Sequence, residues 1–203
     1  MIFAAGMGTR LKPLTDTMPK ALVRVGGEPL IKHVIQNLSG AGVDRIVVNV
    51  HHFAQQIIDY LTENDNFGLD IRISDESAGL LETGGGIKHA AQLFAPDAPI
   101  LIHNVDILSN VDLRRFYQRA GGLLKSDAPV DVSTDVSAPT SADAPDALLL
   151  VSERKTQRYL LFDDTMRLVG WTNITTGEVK SPYPDLDPKA CRMYAFAGIH
   201  VLS

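Results

Sequence analysis

The chain has 203 residues, 45% hydrophobic and 21% charged, with a net charge of -5, which suits one large domain, or a domain with an elaboration, around a sizeable core. The acidic balance argues against general nucleic-acid binding but not against a small anionic ligand held in a locally positive pocket. The single cysteine, Cys191, excludes an internal disulfide, no apolar run approaches the ~18 residues of a membrane span, and Met1-Ile2-Phe3 lacks the basic start of a secretory signal. The expected compartment is the cytoplasm.

In chain order, residues 2–5 read as a short buried strand. The glycine loop Ala4-Ala5-Gly6-Met7-Gly8-Thr9-Arg10 follows, then Pro13 and Pro19-Lys20. Residues 22–25 read as extended. Pro29 stands at a helix start, where its missing N–H costs nothing. Leu30, Ile31, Val34, Ile35 and Leu38 recur at helical spacing. Residues 45–50 form a mostly apolar strand, typical of one covered on both faces. Residues 54–61 are helical, 69–73 a strand, 87–94 helical, 99–102 a strand and 111–120 helical. This alternation predicts an α/β fold, Rossmann-like, with a mostly parallel sheet and helices on both faces. Ligands then bind at the carboxyl ends of the strands.

Residues 126–147 hold five Asp and three Pro but no Lys, Arg, Gly or aromatic residue, the composition of a solvated, mobile insertion. The chain thus divides into an α/β part (1–125), the acidic insertion (126–147) and a β-rich part (148–203); the resemblance described below implies nucleotide binding for the first and sugar binding for the last. In that last part, strand-like runs cover 147–151, 158–162, 168–171 and 192–202, with a hairpin corner at Thr176-Gly177. The chain stops inside a strand, and the expectation is that it continues in the natural protein.

The first loop suits phosphates. Small residues let the backbone approach a ligand and present its N–H groups, Arg10 adds a forked donor, and Lys20 adds a point charge. It is neither a P-loop nor a dinucleotide fingerprint, because the glycine spacing differs from both. Asp106 directly follows the strand 99–102, a good position for a carboxylate that binds Mg²⁺ bridging phosphates. Leu81-Glu82-Thr83-Gly84-Gly85-Gly86 precedes a helix and offers free N–H groups and close backbone approach.

The run A-A-G-M-G-T-R, with Pro13 and Pro19-Lys20, closely resembles the signature of the sugar-phosphate nucleotidyltransferases (nucleoside-diphosphate-sugar pyrophosphorylases), with Phe3 in place of the usual Leu. The L-E-T-G-G-G form is similar to that of bacterial uridylyl- and guanylyltransferases acting on N-acetylmuramate, mannose or heptose 1-phosphates. The resemblance covers residues 1–120 well and 147–203 thinly. It implies an enzyme of sugar-nucleotide and cell-wall biosynthesis whose partners are an NTP and a sugar 1-phosphate. Arg10 and Lys20 would be catalytic, and Asp106 would hold Mg²⁺. Ala4, Ala5, Gly6, Gly8, Thr9, Glu82, Thr83 and Gly84 would bind the nucleotide. A second metal-binding Asp would lie beyond Ser203.

Asn49 and His51 end the strand 45–50 on the same edge and are weaker candidates for the sugar. So are Trp171, Asn173 and Gly198; for each, a structural role is the competing reading. Zinc at His51 and His52 lacks accompanying ligands. Cys191 has no local reason to be a nucleophile. Two alternatives stay open: a nucleotide-sensing subunit on the same fold, or a cytidylyltransferase of a non-sugar phosphate such as phosphocholine. The latter would need an aromatic cage from Trp171 with Tyr159 or Phe162.

Overall fold

A computed structural model describes residues 1–124 and 145–203, so most of the acidic 126–147 stretch lies outside the described residues. The chain forms two compact units. The first runs from Met1 to Leu148 and takes back His200–Ser203; the second is Leu149–Ile199.

The first unit is built on four parallel strands. These are β1 (Ile2–Phe3), β4 (Arg45–Val50), β5 (Asp70–Asp75) and β6 (Ile100–Asn104), in the order β6-β1-β4-β5. Two-residue strands β2 (Arg24–Val25) and β3 (Glu28–Pro29) make a small hairpin between β1 and the first helix. The helices are α1 (Leu30–Gly40), α2 (Ala54–Glu63), α3 (Glu82–His89) and α4 (Leu113–Leu124).

The periodicity explains the packing. All five apolar positions of α1 named from the sequence are buried, and so are the last five residues of β4. On α2, Ile57 and Leu61 are fully enclosed, each burial stabilising by about 1.5–3 kcal/mol. Val47, Ala90 and Ile102 form a core cluster with Phe3 and Ile87 packed against it, which seats α3 on the sheet.

The chain leaves β1 toward β4 and β5, then returns across β1 to β6. The strand order therefore reverses between β1 and β6, and their carboxyl ends splay into a crevice, the usual ligand position in such sheets. The loops that emerge there are Ala4–Gly8 and Val105–Asp106.

The helix expected at 87–94 is displaced. It starts at Glu82, takes the three glycines into its own turns, and ends at His89 before a short 3-10 turn at Ala91–Leu93. Glycine propensity suggests a loop there. Tertiary packing overrides it, because Gly86 is buried where a side chain has no room.

The second unit is antiparallel. Strands β8 (Arg158–Phe162), β9 (Leu168–Asn173) and β10 (Glu178–Lys180) form a meander, and β8 also pairs with Arg192–Tyr194 of β11 (Arg192–Leu202). β7 (Ala147–Ser152) pairs with β11.

Candidate active site

A cleft of about 430 Å³ opens at the carboxyl ends of the parallel strands of the first unit. It is lined by Ala5 and Gly6 after β1, Asn49 on β4, Glu76 after β5, Glu82 and Thr83 at the start of α3, and Asn104 to Asp106 after β6; Lys20 reaches it from the 3-10 turn Lys20–Leu22. Residues more than 80 positions apart in sequence thus meet at one edge.

The glycine loop turns sharply. Gly8 sits in the left-handed region at φ +63, and Leu11 N–H closes the following turn by donating to its carbonyl at 2.8 Å. Thr15 Oγ1 donates to the same carbonyl at 2.9 Å. A Cβ on Gly8 would stand 2.8 Å from Thr15 Cγ2 and 3.1 Å from Lys20 Cβ, so glycine is required by space as well as by φ. Gly6 is different: a Cβ there meets nothing within 4 Å and would project into open cleft.

Lys20 donates to the Asp106 carboxylate, joining the two charged residues singled out in the sequence in a half-exposed ion pair. Arg10 is exposed on the turn Thr9–Leu11, and Gly8, Thr9 and Arg10 all lie outside the cleft lining. Glu82 and Thr83 line the cleft, whereas Gly84 lies one step along α3. Glu82 itself takes φ +56, an uncommon conformation for a side-chain-bearing residue.

Magnesium suits this arrangement. It is usually held by one or two carboxylates plus substrate phosphates rather than by an all-protein cage, and Asp106 supplies one carboxylate beside the phosphate loop. Among the described residues, no group of three or more His, Cys, Asp and Glu is arranged to hold a metal by itself. His51 Nδ1 pairs with the Glu76 carbonyl at 2.7 Å.

Asn49 lines the cleft with most of its amide already hydrogen-bonded within the protein. It is 3% exposed, its Oδ1 accepts from the N–H of Ala4 at 2.8 Å and of Ala5 at 3.4 Å, and its Nδ2 donates to Glu76 Oε1 at 2.8 Å. Sequence reasoning missed Glu76. The signal was available, since Glu76 directly follows β5 as Asp106 follows β6, a carboxylate at the ligand edge of a parallel strand.

The remaining sugar candidates belong to the second unit. Trp171 lies on β9 with Lys180 Nζ 5.3 Å from the centre of its ring. Asn173 Oδ1 accepts from Thr175 N–H at 3.0 Å in a turn, and Gly198 on β11 has φ +77. The choline cage finds little support. Trp171 is opposite Leu160, so the neighbouring Tyr159 faces the other side of the sheet, and Phe162 packs edge-on against Tyr194.

Reversed strand order, a glycine loop and a strand-end carboxylate meet in an α/β protein at the edge where such sheets bind ligands. The family model described as nucleotidyl transferase matches residues 1–137, and the chain belongs to that family. Among its relatives, the N-acetylmuramate alpha-1-phosphate uridylyltransferase of Caulobacter vibrioides is 48% identical over 108 residues, covering 52% of this chain and 44% of that protein. The enzyme of the same name from Neisseria meningitidis serogroup B is 43% identical over 123 residues, covering 61% and 53%. The chain therefore spans about half the length of these relatives. The crystal structure of HddC from Yersinia pseudotuberculosis superimposes with a TM-score of 0.70 over all of this chain and 75% of that one; at 21% identity the likeness is one of fold. Among the described residues, no helix is long and apolar enough to cross a membrane.

Proposed function

We propose that the protein transfers a nucleotidyl group from an NTP to a sugar 1-phosphate, releasing pyrophosphate. The observation that carries this reading is the meeting of the glycine loop, Lys20 and Asp106 in one cleft. The two relatives named as uridylyltransferases of N-acetylmuramate 1-phosphate make UTP with that sugar phosphate the first pair to test. GTP with mannose or heptose 1-phosphate is the second.

The reaction needs positioning more than covalent machinery. An oxygen of the sugar phosphate attacks the α-phosphorus in line, a P–O bond forms, and the bond to the β-phosphate oxygen breaks as pyrophosphate leaves. No general base is required, because the sugar phosphate is already ionised near pH 7. Backbone N–H groups of Gly6 to Thr9 hold phosphate oxygens. Lys20 offsets the repulsion between the two phosphates as they approach, and Arg10 neutralises charge on the departing pyrophosphate. Asp106 would hold magnesium, which supplies further charge neutralisation on the phosphates. The start of α3 at Glu82 and Thr83 forms the wall for the base and ribose.

The test is pyrophosphate release by the full-length protein with each of four NTPs against a panel of sugar 1-phosphates. Turnover with UTP and N-acetylmuramate 1-phosphate is expected. Release with none of the pairs, by protein that binds Mg–NTP, would favour a nucleotide-sensing role instead.

A further inference from the structure

In the floor of the cleft lies a carboxylate that the reaction as described does not use. Glu76 is 2% exposed, and among the described residues the donors that reach its side chain are neutral: Asn49 Nδ2 at 2.8 Å on Oε1 and Leu81 N–H at 3.3 Å on Oε2. Its backbone is held as well, by Glu76 N–H donating to Val50 O at 2.8 Å and by Gly79 N–H donating to Glu76 O at 2.9 Å. Burying a carboxylate against neutral donors costs stability relative to a neutral residue of the same shape. A buried charge of this kind has to be explained by what it orders.

What it orders is visible in the bonding. Through Oε1 it fixes the Asn49 amide, whose Oδ1 then receives the N–H groups of Ala4 and Ala5 at the root of the phosphate loop. Through Oε2 it fixes Leu81, the residue before α3 and its cleft-lining Glu82 and Thr83. Only a carboxylate serves both arms. A Gln has one acceptor oxygen, and its –NH₂ would face either the Asn49 amide hydrogens or the Leu81 N–H. Gly86 is part of the same arrangement, because a Cβ there would stand 2.7 Å from Glu76 Oε1 and 3.3 Å from Asn49 Nδ2.

We infer that Glu76 is a positioning residue that, through Asn49 and Leu81, locks the phosphate loop after β1 and the nucleotide wall at the start of α3 into one frame. The inference rests on the nucleotidyl-transfer reading of the cleft. It adds that the distance between phosphate grip and base wall is set by a buried side chain in the floor of the cleft. Misplacement of reacting groups by about 1 Å can cost on the order of 100-fold in rate, which sets the scale of the effect.

The experiment compares the wild-type chain with Glu76→Gln, Asn49→Ala and the double variant by pyrophosphate release, thermal unfolding and amide hydrogen exchange. Glu76→Gln is expected to lower kcat by about 10- to 100-fold while the protein stays folded at the assay temperature. Exchange should quicken together at Ala4, Ala5 and Leu81, which are far apart in sequence but share this one network. The double variant should be no slower than the worse single one, as expected for residues acting through one chain of bonds. Wild-type kcat in folded Glu76→Gln, or exchange that quickens at Leu81 while Ala4 and Ala5 stay protected, would overturn the inference. If the wild-type chain releases no pyrophosphate with any pair, the transfer reading fails, and the exchange arm still decides whether Glu76 couples the two segments.

Discussion

Gly6 and Gly8 lie two residues apart in the same loop, yet the structure gives them opposite sensitivities. In Gly8→Ala, the backbone must hold a left-handed φ of +63 with a side chain attached, which costs about 1–2 kcal/mol. The new methyl also arrives 2.8 Å from Thr15 Cγ2 and 3.1 Å from Lys20 Cβ. Thr15 cannot swing away freely, because its hydroxyl donates to the Gly8 carbonyl. Overpacking of this kind adds about 1–3 kcal/mol, so the total loss is about 2–5 kcal/mol. For a chain of this size even the lower figure lowers Tm by about 4–8 °C. Gly6→Ala meets no neighbour and carries no left-handed φ, so its stability should stay within about 0.5 kcal/mol of wild type. Its methyl instead enters the cleft, and activity and nucleotide affinity should fall. Thermal unfolding alongside titration with Mg–UTP separates the two variants. A Gly8→Ala protein as stable as wild type, or a Gly6→Ala protein with undiminished nucleotide affinity, would refute the reasoning.

Other changes probe the charged groups. Lys20→Ala removes a partly exposed ion pair with Asp106, worth at most about 1 kcal/mol of stability, but should remove about 3–4 kcal/mol of transition-state stabilisation; near-normal pyrophosphate release would sink its proposed role. Asp106→Ala should abolish magnesium-dependent turnover, and unchanged Mg–NTP binding by calorimetry would remove Asp106 from the metal's ligands. Burial pushes the His200 imidazole down to about 4, helped by the Met1 amino group, with its side chain only 7% exposed. The unfolded chain takes up that proton near pH 6.5, so this contribution is complete above 6.5 and shrinks as pH falls from 6.5 toward 4. By pH 5 it should cost about 1–2 kcal/mol after solvent screening, and urea unfolding of His200→Gln should show a correspondingly flatter acid limb.

Much of the first unit is legible in the sequence because its signals are local. The apolar spacing of α1, the continuous run of β4 and the glycine loop all reflect contacts that a short window contains or implies. The pairing of Lys20 with Asp106 is not legible in the sequence, which offers Lys20 as a charge for phosphates and Asp106 as a magnesium ligand. The start of α3 was not legible. A triple glycine lowers helix propensity, and nothing local reveals that Gly86 must stay bare to admit a carboxylate from β5 and an amide from β4.

The same distinction bears on Asn49, for which the sequence leaves open both a sugar contact and a structural role. From its position at the end of β4, its amide points toward the edge where substrates bind, and a sugar is a reasonable partner. The structure shows that the amide's oxygen and one of its N–H groups are already committed, to Ala4 and to Glu76. A polar side chain at a strand end therefore has two possible tasks, to touch the ligand or to hold the loop that does. All four line the cleft, and burial separates them: Asn49 and Glu76 are almost fully buried in its floor, whereas Asp106 and Glu82 are exposed. The phosphate loop carries no side chain that could fix its own root, since Ala4, Ala5 and Gly6 are small so that a ligand can come close. Its rigidity has to be borrowed from neighbouring strands, and the parallel order β1-β4-β5 brings the two residues that lend it.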